Sequence, residues 1–213
     1  AYVGATVMFL FILALFVVKG PFKWWILISF ILSLTLSWGK NFPLLTNLFI
    51  DHFPFYNKFR AVSSIQIILE FAVPLLSVIG LHKFLADANL KNIKRSFAVY
   101  SVPLILLLVL GGSFSYSGLY DDYYSSGYGQ EIFDQIIDER KNIFNSDVIR
   151  ALIIGVLVFL TLRFSKLLGR NFTYAIVLAI VIFDLLNINN RYIDKDLFID
   201  TNINTYQASE IDN

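Results

Sequence analysis

Six apolar runs of roughly 16 to 21 residues recur along the chain, separated by segments that carry most of its charge. They cover residues 2–18, 24–39, 61–81, 97–112, 147–163 and 172–188. At about 1.5 Å per residue, runs of this length cover the hydrocarbon core of a bilayer as helices. A spanning segment must satisfy its own backbone amides. A barrel strand would alternate apolar and polar residues with period two, and these runs do not. The pattern therefore predicts an all-α, polytopic bundle of six transmembrane helices over residues 1–192. Residues 193–213 read as an extracytoplasmic tail at the start of a further domain.

Two of the intervening segments have a pattern of their own. Residues 40–60, KNFPLLTNLFIDHFPFYNKFR, are too apolar for a solvated linker. Leu44, Leu45, Leu48 and Phe49 share a helical face after Pro43, which predicts an amphipathic helix in the interface. That helix brings Asn57, Lys58 and Arg60 to the mouth of the third span, where the two cations either snorkel to headgroups or face a site. Residues 111–130 are rich in Gly, Ser and Tyr and predict a mobile loop, a reading that outweighs sugar stacking by its tyrosines or a divalent cation held by Asp121 and Asp122. In residues 131–145, Ile132, Phe133, Ile136, Ile137, Ile143 and Phe144 oppose Asp134, Asp138, Glu139 and Lys141. This predicts a second interfacial helix, with Asn145 and Ser146 capping the fifth span.

The hydrophobic share of 57 % and the net charge of +1 conceal a strong asymmetry. Residues 19–23, 82–96 and 163–171 hold nine basic residues and a single acid, Asp87. The other connections and the tail hold eight basic residues diluted among thirteen acids. The positive-inside bias puts the three basic connections in the cytoplasm, so the N-terminus, the two long loops and the tail lie outside a bacterial inner membrane. Trp24, Trp25 and Trp38 suit interfacial anchors. Pro74 and Pro103 fall within spans and predict kinks. No cysteine is present, which excludes disulfides and thiolate chemistry, and His52 and His82 fall on opposite sides and form no common metal site. The chain enters its first span without a basic leader segment, so it reads as a piece of a longer protein rather than as a signal peptide. Short, separate basic loops facing a membrane argue against nucleic-acid binding.

Charge inside the spans is the functional clue. Glu70 and Asp184 lie at similar depth in the outer leaflet, where an unpaired carboxylate costs several kcal/mol or becomes protonated. Each should therefore face the bundle and meet a cation. Arg150 is the best-placed partner, with Lys58, Arg60 and Arg191 at the rim. One outcome is an ion pair locking helices together. The other is a cavity with a slight basic excess that holds a phosphate, Asp147 and Asp184 orienting the guanidinium groups.

Three stretches resemble the YfhO family of bacterial membrane proteins, in the same order. They are FPFYNKFRAVSSIQIILEFAVPLLSVIGL at 53–81, ERKNIFNSDVIR at 139–150 and DLLNINNRY at 184–192. The resemblance implies a GT-C-like glycosyltransferase that moves a sugar from a polyprenyl-phosphate donor to a cell-envelope glycopolymer or lipid on the outer face. On that reading Lys58, Arg60, Arg150 and Arg191 bind the donor phosphate, and Asp147 and Asp184 orient them. The usual catalytic carboxylate precedes this region, leaving Glu70 as the candidate within it. No cofactor beyond the lipid-linked donor is implied. The partners are membrane lipids and subunits of an envelope assembly. The rival readings are a non-catalytic subunit of such an assembly and a lipid or solute transporter.

Overall fold

The computed structural model describes residues 2–54, 56–58, 62–118 and 121–191; Arg60 and the tail lie outside them. The described residues form helices and no strand. In chain order these are α1 (Ala5–Val17), α2 (Phe22–Ser37), α3 (Pro43–His52), α4 (Gln66–Asp87), α5 (Leu90–Leu110), α6 (Asp121–Tyr128), α7 (Gln130–Arg163), α8 (Ser165–Leu168) and α9 (Arg170–Asn189). Short 3-10 turns follow α2, α3 and α5.

Four of these helices, α4, α5, α7 and α9, are long and apolar enough to cross a membrane. The expected six spans are met only to that extent. With 13 residues α1 reaches about 20 Å, and with 16 residues α2 reaches about 24 Å, both short of the ~30 Å hydrocarbon core.

Helix α1 is nevertheless the centre of the bundle. It packs against α4, α5, α7 and α9. Phe9, Leu10 and Leu13 pack with Phe84, Ile93, Tyr100, Ile154, Val158 and Leu162. Its opposite side sets Phe11, Ala14 and Val18 against Ile26 of α2 and Leu69, Val73 and Leu76 of α4. A helix that buries residues on two opposite sides, with only Phe16 exposed, cannot show an amphipathic stripe. Close approach is bought by small residues: a Cβ at Gly80 would overlap Ala14, and one at Gly155 would strike the Tyr100 ring. Buried hydroxyls turn to carbonyls, Ser77 Oγ to Val7 O at 2.9 Å, Ser33 Oγ to Ile65 O at 2.6 Å and Tyr100 Oη to Ala151 O at 2.8 Å.

The contacts also fix direction. Val7 meets Ser77 and Ala14 meets Gly80, so α1 and α4 run parallel. Tyr100 meets Ala151 while Phe97 meets Phe159, so α5 and α7 run antiparallel. His82 Nδ1 lies 3.1 Å from Tyr174 Oη, which brings the start of α9 to the end of α4. The three basic connections are thereby gathered at one end of the bundle. Around it, Phe71 and Val78 of α4, Val102 and Val109 of α5, Ile153 of α7 and Phe183 of α9 are exposed, an apolar girdle that water would not tolerate over such an area.

Several boundaries differ from those the sequence suggests. Helices α4 and α5 extend past the apolar runs to meet at a turn of Ala88 and Asn89, so the expected long basic loop is mostly helical. Ala88 is left-handed (φ 41°), and the Asn89 side chain accepts from the Lys91 amide at 2.9 Å to start α5. Charged residues end an apolar run without ending a helix. For the same reason the second interfacial helix and the fifth span are one 34-residue helix, about 51 Å long, with Asn145 and Ser146 inside it rather than capping it. Pro74 and Pro103 lie within continuous helices. The segment expected to be a mobile loop contains α6, which folds back on α7. Phe114 and Tyr116 pack on Phe144, and Arg140 Nη1 reaches both Tyr116 O at 2.9 Å and Asp121 at 2.8 Å.

Candidate functional site

Helix α1 begins without a cap of its own. Gly4 occupies the N-cap position at φ 89°, a conformation L side chains rarely adopt, and it has no side chain to bond the first amides. The missing acceptor comes from the far end of the chain. Asp184 of α9 is fully buried, and its Oδ2 accepts the Thr6 amide at 3.2 Å. A Cβ at residue 4 would lie 3.2 Å from that oxygen, so glycine also leaves room for the carboxylate. A negative group at this position gains from the positive end of the helix dipole.

The other carboxylate oxygen is bound more strongly. Asp184 Oδ1 accepts the Tyr2 hydroxyl at 2.7 Å and Arg150 Nη1 at 2.7 Å. Tyr2 Oη in turn accepts the Ala5 amide at 3.2 Å, and its ring lies 5.4 Å below the Arg150 guanidinium. One turn earlier on α7, Asp147 Oδ1 sits 3.6 Å from Arg150 Nε and accepts Arg191 Nη1 at 2.6 Å. A chain of alternating charge thus runs from the start of α1 to the end of α9 through α7. It is most buried at Asp184, and the Asp147–Arg191 pair is more than a third exposed. Three donors on one buried carboxylate offset much of the cost of taking it out of water.

Of the residues singled out in the sequence, Asp147, Arg150, Asp184 and Arg191 are brought together. Lys58 is not; it is exposed on the 3-10 turn after α3 and makes none of these contacts. Arg60 lies outside the described residues. Glu70, expected to face the bundle, is exposed instead and forms no ion pair among the described residues. Helix α4 turns Leu69, Val73 and Leu76 inward, which leaves Glu70 outward with Ile67 and Phe71. The expected basic excess is also missing from the network, where two arginines meet two aspartates. Buried Arg150 Nε nevertheless retains a donor with no hydrogen bond in the structure.

Tyr2 and the Thr6 amide are the parts that sequence reasoning missed. A tyrosine opening an apolar run reads as an interfacial anchor, and a main-chain amide leaves no mark. The available signal was the stretch Tyr-Val-Gly-Ala ahead of an apolar helix, a start without Ser, Thr, Asp or Asn that requires an acceptor from elsewhere. Among the described residues no group of three or more His, Cys, Asp or Glu is placed to hold a metal ion. No family model matches the chain, and neither does any of the curated proteins or solved structures compared with it.

Proposed function

We propose that the chain is part of a multi-pass, glycosyltransferase-like membrane protein that handles a polyprenyl-phosphate-linked sugar at the end of the bundle where Asp184 lies. One observation carries the reading: Asp147 and Arg150 from one YfhO-like stretch and Asp184 and Arg191 from another are bonded to each other, although 34 residues separate Arg150 from Asp184. On this reading the aspartates hold the guanidinium groups in place, and the donor phosphate approaches from the exposed side. It would take Arg191, the exposed cation of the network. Basic groups so arranged stabilise the charge that develops on the leaving phosphate, while a base outside this network deprotonates the acceptor hydroxyl. Glu70 remains the candidate within this region. The same reading has α1 and α2 crossing with the four longer helices. Trp24, Trp25 and Trp38 at the two ends of α2 support its crossing, and the packing of α1 against the four longer helices supports that of α1. It sets the basic end in the cytoplasm and the Asp184 end outside a bacterial inner membrane.

Full-length protein in lipid nanodiscs, given a polyprenyl-phosphate sugar and an envelope glycan acceptor, should transfer the sugar and release polyprenyl phosphate. Arg191→Ala should lower transfer by about tenfold or more, the worth of one charge-assisted phosphate contact, with the helical content unchanged. Folded protein that transfers no sugar would overturn the reading.

A second reading is favoured by the charge balance of the network. Arg150 and Asp184 then act as a lock between helices in a non-catalytic subunit of an envelope assembly. Apolar replacement of both residues that preserves the protein's association with its envelope partners would support it.

A further inference from the structure

The opposite end of the bundle holds a second feature, independent of the chemistry at Asp184. Where the α4–α5 turn meets the α7–α8 junction, a cavity of about 310 Å3 is lined by Ala88, Leu90, Leu162, Phe164, Arg163 and Lys166. Its size is at the lower end for a small-molecule site, roughly 300–1,000 Å3. Two kinds of surface meet there. Leu162 is buried, whereas Phe164 and the neighbouring Leu167 are exposed, Leu167 at 84 %. The Arg163 guanidinium lies over the Phe164 ring at 5.7 Å, and among the described residues neither Arg163 nor Lys166 forms an ion pair.

At the Asp184 end the arginines are paired with aspartates. At this end basic residues are in excess, with Lys83, Lys91, Lys94, Arg95 and Arg170 on the same connections and only Asp87 against them. Two cations without an ion-pair partner beside an apolar, outward-facing surface suit an anion that brings hydrocarbon with it. We infer that this cavity binds the headgroup of an anionic phospholipid, its phosphate held by Arg163 and Lys166 and its acyl chains lying along Phe164 and Leu167. Charge complementarity selects the headgroup, and the exposed apolar pair selects a lipid over a free phosphate.

The test uses the full-length protein in neutral detergent and native mass spectrometry, with phosphatidylglycerol, phosphatidylcholine and inorganic phosphate as probes. The wild type should retain phosphatidylglycerol at least about tenfold better than phosphatidylcholine, and Arg163→Gln with Lys166→Gln should remove that preference, since each cation near a lipid surface is worth about 1 kcal/mol. Lys19→Gln with Lys83→Gln removes two charges from the same end but none from the cavity, and should leave retention within about twofold. If the first pair fails to fold, Lys166→Gln alone, on the short α8, should give an intermediate loss. Equal retention of both lipids, an equal loss in the control pair, or displacement of the lipid by millimolar phosphate would each overturn the inference.

Discussion

The two ends of the bundle handle charge in opposite ways. At the Asp184 end two arginines and two aspartates form a closed chain, and the most deeply buried member has the most partners. At the other end nine basic residues face one acid, and Lys23 is a rare case of a cation used within the protein, donating to Leu15 O at 2.6 Å. The difference follows depth and surroundings. A charge surrounded by helices must be neutralised by the protein itself, because leaving one partner buried and alone costs about 3–5 kcal/mol. A charge at the rim can leave that task to water, salt or lipid headgroups.

Breaking the closed end should therefore produce the largest effect. Asp184→Ala strands Arg150 and opens the start of α1, and is expected to destabilise by about 3–5 kcal/mol in reversible unfolding in detergent. An apolar pair, Asp184→Leu with Arg150→Met, should be less destabilising than either single change. If it is not, the pair contributes more than mutual neutralisation. Tyr2→Phe removes one hydrogen bond to the carboxylate but keeps the ring under Arg150, so a loss of about 1.5–3 kcal/mol is expected by the same measurement.

The exposed part of the network should behave more like the opposite end. Arg191→Ala is expected to cost about 0.2–1 kcal/mol because both partners are more than a third exposed. Arg163→Gln with Lys166→Gln should change stability by no more than about 0.5 kcal/mol in neutral detergent. A larger loss there would mean that the basic end is paired after all.

The smallest effect belongs to the pair where α6 folds back on α7. The Gly118 amide, at 2.6 Å, and then the Arg140 guanidinium hold the Asp121 carboxyl below the usual carboxylate range. A lowered folded value contributes stability above the unfolded value of about 4 and loses it as pH falls through the folded one. Protection of the amides of residues 116–118, taken relative to their intrinsic exchange rates, should therefore fall below about pH 4, and Asp121→Asn should remove that dependence.

The sequence made the apolar runs legible because length and composition alone identify a helix suited to a membrane. It made the Arg150–Asp184 pairing legible because depth along two runs can be counted. It hid the helix boundaries, since Lys83, Asn145 and Ser146 are compatible with a helix and interrupt only the hydrophobic pattern. Glu70 shows the limit of counting depth: residue position along α4 gives height in the bundle, but which way the side chain faces depends on how α4 packs on α1. The role of Asp184 as the cap of a remote helix was hidden for the same reason, because its partner is a backbone amide 178 positions away.

Helix α1 is finished at both termini by other helices, by Asp184 in front and by Lys23 behind. It precedes α9 in the chain, so the Thr6 amide has no such acceptor until α9 has packed against it. The start of α1 is thus completed only by tertiary packing. A chain that ends short of Asp184 keeps an open helix start and an arginine without its buried partner.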